Sequence, residues 1–251
     1  MKMYFTILTF VFGTLLGSFY NVVGYRLPKG LSLVKPKDSF CPKCNHSLKW
    51  YELVPIFSFL IQKGKCRKCK CKISLFYPCI ELTTGILFML SYLKFGFTFE
   101  FLISILIASF FVIVIVSDVN FLIIPDEVTI FFSLFIIIIN FIAYGIDYGI
   151  TYILYGFFLF IMMLIIMLFG NFIFKKESLG GGDIKLMFFV GTILNPINGL
   201  FHIFLSSFLA LPTSIFILLR KNKRAIPFGP FILLSLLIIY MLEIDIVSLL
   251  S

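Results

Sequence analysis

Ser178-Leu179-Gly180-Gly181-Gly182-Asp183-Ile184-Lys185 is a polar, glycine-rich stretch set between two apolar runs. Asp183 is one of 12 acids in a chain that is 61% hydrophobic. A carboxylate at the edge of a bilayer is costly unless water or a partner supports it, which marks it as a functional candidate. The three glycines clear side chains from its neighbourhood. That predicts room for a substrate backbone, and positive φ values at this turn. The order G-x-x-x-x-G-K-[ST] of a phosphate loop is absent, and no strand precedes the glycines.

Outward from this stretch the chain is almost entirely apolar. Of its 251 residues 13% are charged, where a soluble domain carries about a quarter. The mean hydropathy is +1.09. Apolar runs lie at 3–23, 80–97, 100–117, 127–145, 150–174, 184–195, 199–219 and 227–248, the sixth of them short. The first has no basic n-region beyond Lys2 and no small-residue cleavage site, so it reads as a retained helix. The expected fold is an all-α polytopic membrane protein of about eight transmembrane helices with one small polar domain. The domains expected are a first helix at 1–23, a cysteine-bearing domain at 24–79 and a membrane domain at 80–251. No internal sequence repeat is evident.

The formal net charge is +9. Twelve of the 21 Lys and Arg lie between Arg26 and Lys72, and further clusters fall at Lys175, Lys176 and Lys185 and at Arg220, Lys221, Lys223 and Arg224. Alternating the spans puts all these loops on one side. Basic loops stay cytoplasmic, so the charge reads as topology rather than nucleic-acid binding. The polar domain is then cytoplasmic and the N-terminus outside.

Cys41-Pro42-Lys43-Cys44 and Cys66-Arg67-Lys68-Cys69 are two C-x-x-C pairs with 21 residues between them. This spacing suits structural zinc on Cys41, Cys44, Cys66 and Cys69. A reducing cytoplasm argues against disulfides, and a short polar segment needs a staple. Cys71 reads as an ordinary loop thiol, with competition as a ligand the alternative. Cys79 reads as a small packing residue, and His46 as a surface residue, with four cysteines available in place of it as a ligand. His202, inside an apolar run, is expected to bond from helix to helix.

Asp118 ends the third run and Asp183 opens the sixth, on the same predicted side. Two carboxyls brought together share one proton and provide an acid and a base, which is aspartic-protease chemistry. The alternative is that each pairs with a lysine or marks a helix end. Asp126, in Pro125-Asp126-Glu127, reads as an N-cap or as support for the pair. Glu81 and Arg26 stand at the mouths of two runs, either paired or lining a polar pocket.

Gly17-Ser18-Phe19-Tyr20-Asn21-Val22-Val23-Gly24-Tyr25-Arg26-Leu27-Pro28 resembles the first motif of the type IV prepilin peptidases. The C-x-x-C pairs, Trp50 to Pro55, and Tyr77-Pro78-Cys79-Ile80-Glu81 resemble their cysteine-bearing domain. Asp118 with Ile124-Pro125-Asp126, and Gly180 to Lys185, resemble the two aspartate motifs of the GxGD membrane proteases. The match runs through nearly the whole chain. It implies a bifunctional enzyme of the bacterial cytoplasmic (inner) membrane. One activity cuts basic leader peptides from prepilins and pseudopilins after a glycine. The other methylates the new N-terminal residue with S-adenosylmethionine.

In that resemblance Asp118 and Asp183 are catalytic, supported by Asp126, Gly180, Gly182 and Lys185. Asn21, Arg26 and Glu81 are candidate contacts for the methyl donor. Membrane lipids surround the spans, and Glu52 and Glu177 are acids available to a basic leader. A methyltransferase with a degenerate protease half is opposed by the intact aspartates. A transporter would hold its acids near the midplane, whereas these cluster at one face.

Overall fold

A computed structural model of the chain describes residues 1–34, 39–41, 43–175, 180–219, 226–246 and 248. Glu177 and the basic cluster at 220–224 lie outside the described residues. The described chain is helical apart from turns and two isolated bridges. It divides into two compact units, Met1–Phe97 and Thr98–Ser251.

The first unit is built on α1 (Lys2–Arg26) and α3 (Phe76–Phe95), joined by the cysteine-bearing loop, which carries the short helix α2 (Phe57–Ile61) and a 3-10 turn at Trp50–Glu52. Phe5 meets Tyr92, Gly13 meets Gly85 and Asn21 meets Tyr77, so α1 and α3 run in opposite directions. Small residues set their separation. A Cβ on Gly13 would stand 2.8 Å from the Thr84 carbonyl oxygen, and one on Gly17 would stand 2.8 Å from Thr84 Oγ1. Close backbone approach through small residues is how helices associate where lipid removes the usual apolar driving force.

The second unit holds α4 (Phe99–Phe121), α5 (Asp126–Tyr144), α6 (Ile146–Phe174), α7 (Gly181–Gly191), α8 (Pro196–Leu219) and α9 (Gly229–Met241). α4 is its core. Ile107, Ala108, Phe110, Val112 and Val114 are fully enclosed. Phe110 stacks on Phe132 of α5 (centroids 5.1 Å apart) and meets Phe189 of α7 edge-on at 4.8 Å. α9 packs against α4, α7 and α8. Large apolar side chains lie exposed along α6 and α8, among them Leu154, Phe157, Phe204 and Phe208, as a lipid-facing surface requires.

All eight expected runs are helical, but six of the helices are long and apolar enough to cross a membrane: α1, α3, α4, α5, α6 and α8. With 11 and 13 residues, α7 and α9 are about 16 and 20 Å long, against a hydrocarbon core of about 30 Å. The run read as 227–248 closes at Met241, where Leu242 and Glu243 turn. These half-length helices are buried inside the unit. Leu186, Phe189 and Val190 of α7 and Leu233 and Leu236 of α9 are fully enclosed. His202 bonds the Ile232 carbonyl at 2.7 Å, joining α8 to α9 as expected.

Candidate functional site

α4 runs one turn past its apolar stretch, so Asp118 lies inside its last turn and is 5% exposed. The Gly229 N–H, at the first residue of α9, donates to Asp118 Oδ2 at 3.1 Å. Asp183 stands in the first turn of α7, and the Gly180 N–H donates to its carboxylate. Each acid therefore accepts from the N-terminal end of a short helix. That end carries unpaired N–H groups and the positive pole of the helix dipole. Asp183 lies within the electrostatic reach of Asp118. Ile124, in the turn after α4, fills the space between the two helix starts. Cβ atoms on Gly182 and on Gly229 would stand 3.1 and 2.9 Å from its side chain.

The glycines act differently from the expectation. Gly180 is extended (φ −71°), Gly181 and Gly182 form the first turn of α7, and none has positive φ. A helix start needs no left-handed residue. Among the described residues, nothing lies within 4 Å of a Cβ placed on Gly181, whereas one on Gly180 would stand 3.3 Å from Asp183 Oδ2. Asp126 is the first helical residue of α5 and makes no cap bond. Its two carboxylate oxygens receive Lys185 Nζ, each at 2.7 Å, pinning α5 to α7 beside Asp183.

Sequence reasoning missed Gly229. A Cβ there would sit 3.1 Å from Asp118 Oδ2 and 3.0 Å from Val114 Cγ1, so only glycine brings the N–H to the carboxylate. The available signal was Pro227-Phe228-Gly229-Pro230 ahead of a short apolar run. Such a pattern starts a helix with Pro in its first turn.

In the first unit the thiols gather. Cys41, Cys66, Cys69 and Cys71 have their sulfurs within 4.8 Å of one another, and Cys44 Sγ is 3.9 Å from Cys66 Sγ. Cys41 stands 3.8 Å from Cys69 and 3.6 Å from Cys71. Four thiolates at about 2.3 Å from a tetrahedral zinc stand roughly 3.8 Å apart, so the donor set fits that ion. The N–H groups of Lys43 and Cys44 bring the Cys41 thiol down to about 6. Cys71, hydrogen-bonded to Cys69, is pushed up to about 12. Cys71 is thus no ordinary loop thiol, because Lys70 turns back at φ 59° and aims it inward. Cys79 is exposed rather than packed.

Glu52 does not face a ligand. It is 6% exposed and accepts from the Lys49 N–H, while its oxygens lie 3.4 Å from His46 Nε2 and 3.8 Å from Arg67 Nε. It cross-links the two cysteine pairs, and His46 is part of that link. Along the α1–α3 seam, Asn21 is 5% exposed and its Oδ1 is buried with no partner. One turn away Glu81 accepts the Ile56 N–H at 2.7 Å and is bonded by Ser18. Two such acceptors suit a cationic or amino-bearing ligand. Arg26 instead donates to the carbonyls of Ser32 and Leu33.

The fold and these sites define an all-helical polytopic membrane protein built around paired carboxyls, an aspartic-protease arrangement, with a thiol cluster fit for zinc. Residues 11–95 match the bacterial peptidase A24 N-terminal domain, and residues 105–215 match the type IV leader peptidase family. A prepilin leader peptidase/N-methyltransferase of Bacillus subtilis is 38% identical over 190 residues, covering 74% of this chain and 72% of that protein. The protein of the same name in Vibrio cholerae is 33% identical over 96% of this chain and 98% of its own. That of Pseudomonas aeruginosa is 28% identical over 92% and 88%. No solved structure matches. The chain belongs to the type IV leader peptidase family.

Proposed function

We propose that this enzyme removes the basic leader peptide from prepilins or pseudopilins at the cytoplasmic face of the bacterial inner membrane, with Asp118 and Asp183 as the catalytic pair. The observation that carries the reading is that both carboxyls sit at the N-terminal ends of short helices, within each other's field. One carboxyl keeps its proton and the other is ionised. The ionised one takes a proton from water as the oxygen attacks the scissile carbonyl. The protonated one supplies a proton to the departing amine, and the peptide bond breaks. Gly181, open among the described residues, admits the peptide backbone, and Gly180, without a Cβ, lets it approach the Asp183 carboxylate. Lys185 and Asp126 fix the start of α7, and so hold Asp183 in place.

The second activity belongs to the N-terminal unit. S-adenosylmethionine would supply the methyl group for the new N-terminal amine. Asn21 and Glu81 would hold its amino or sulfonium end, with Arg26 steadying the turn after α1. Zinc would be held by thiolates of the loop and would order it, since the segment has little core of its own.

The test is cleavage of a peptide with a basic leader, a glycine and an apolar segment by detergent-purified enzyme. Asp118→Asn and Asp183→Asn should each lower the rate at least about 10²-fold, and the double change should cost little more than either alone. Both variants should keep their zinc. Substantial cleavage by either variant overturns the assignment.

A further inference from the structure

The cysteine loop is built from one turn used twice. Residues 40–47 and 65–72 each close with an antiparallel bridge, Phe40 to Ser47 and Lys65 to Lys72. In the first, the Asn45 N–H donates to the Cys41 carbonyl at 2.9 Å and the Cys41 N–H to the His46 carbonyl at 3.0 Å. In the second, Lys70 donates to Cys66 and Cys66 to Cys71, both at 2.9 Å. Asn45 and Lys70 hold the matching left-handed position, at φ 52° and 59°. Superposed on this pattern, Cys41 corresponds to Cys66, Cys44 to Cys69, and His46 to Cys71.

The copies differ at that last position. His46 turns away, to Glu52. Cys71 turns in, 3.6 Å from Cys41 Sγ. Five thiols therefore surround a place that a tetrahedral ion fills with four. Cys41, Cys66 and Cys69 are common to both possible sets. Cys71 lies within 4.8 Å of all three, and Cys44, at the edge of the cluster, reaches it through Cys66 at 3.9 Å.

We propose that Cys44 and Cys71 are interchangeable as the fourth zinc ligand, one bound while the other stands by as a free thiol. In the exchange the zinc–sulfur bond to one cysteine breaks and that thiolate takes a proton. The bond to the other forms and its thiol releases a proton, so charge and ligand number are unchanged. The loop then carries a tetrathiolate ion and one uncoordinated thiol at all times. This inference rests on the zinc reading above.

The experiment uses the full-length protein in detergent under reducing conditions, loaded with Co²⁺ as a spectroscopic probe. Cys44→Ser and Cys71→Ser should each retain one metal per chain and the charge-transfer intensity of four thiolates. The double variant should fall to about three quarters of that intensity and release metal more readily. In the zinc-loaded protein, alkylation should divide between Cys44 and Cys71 and sum to one thiol. Cys79, on α3 and outside the cluster, is mapped separately so that its labelling is not counted in that sum. Three-thiolate spectra for either single variant, or alkylation confined to one of the two cysteines, overturn the exchange while leaving zinc binding intact. An unaltered protein that takes up no metal overturns the zinc reading itself, and the exchange with it.

Discussion

At the scale of single residues, the site depends on atoms that are missing as much as on those present. Gly229 brings its N–H to Asp118 because it has no Cβ. Gly229→Ala would overpack a contact shared with Val114 and Ile124, at a cost of about 1–3 kcal/mol. It would also push the helix start from the carboxylate, and a misplaced catalytic group loses rate steeply. We expect cleavage to fall about 10²-fold while a folded protein is still recovered. Parallel measurement of kcat and thermal stability checks this, and near-normal turnover would show that the N–H is not needed. Asp118 and Asp183 were readable in the sequence because acids are rare in an apolar chain. Gly229 was not, since its role comes from contact with a residue 111 positions away. Cys71 could be named as a competing ligand from the sequence but not preferred, for a similar reason. The C-x-x-C spacing names four thiols, and only the left-handed turn at Lys70 brings in a fifth.

At the scale of elements, the ion pair between Lys185 and Asp126 fixes where α7 begins relative to α5. Both side chains are about half exposed, at 48% and 55%, so the pair contributes little stability, on the order of 0.5 kcal/mol. Lys185→Ala should lower the melting temperature slightly and slow cleavage by less than about tenfold. A loss as deep as that of Asp183→Asn would give Lys185 a direct part in the chemistry. The apolar runs predicted every membrane helix by position. Their lengths failed at α7 and α9, because hydropathy counts apolar residues and takes no account of where a helix stops. Asp126 looked like a cap by residue type, yet Pro125 takes the cap position and frees its carboxylate for Lys185.

At the scale of the whole molecule, the two units divide the proposed activities along the chain. The first carries the thiols and the Asn21–Glu81 seam, and the second carries the aspartates. The distribution of Lys and Arg supports the proposed orientation, with the cysteine loop in the cytoplasm and the turn near Asp147 outside. A reporter active only in the cytoplasm should work when fused after Lys65 and fail when fused after Asp147. The reverse pattern would invert the orientation and place leader cleavage on the wrong side for a newly made precursor. Loop charge gives the sequence a prediction of orientation that this reporter experiment tests. The thiol cluster was legible in the C-x-x-C spacing, whereas the close α1–α3 seam became visible only in three dimensions, since it depends on side chains too small to leave a pattern.

The N–H groups that meet the two aspartates also bear on how this protein would change over generations. A helix that begins among apolar neighbours leaves its first amides without partners, and here carboxylates take them. The aspartates are therefore plugs as well as the proposed reagents. A descendant that no longer cut peptides would lose the need for an acid but not the need for an oxygen. Drift at positions 118 and 183 should run first to asparagine, which keeps an acceptor, and not to alanine or leucine. Reading such a lineage by its aspartates alone would miss that the fold is still paying attention to those two places.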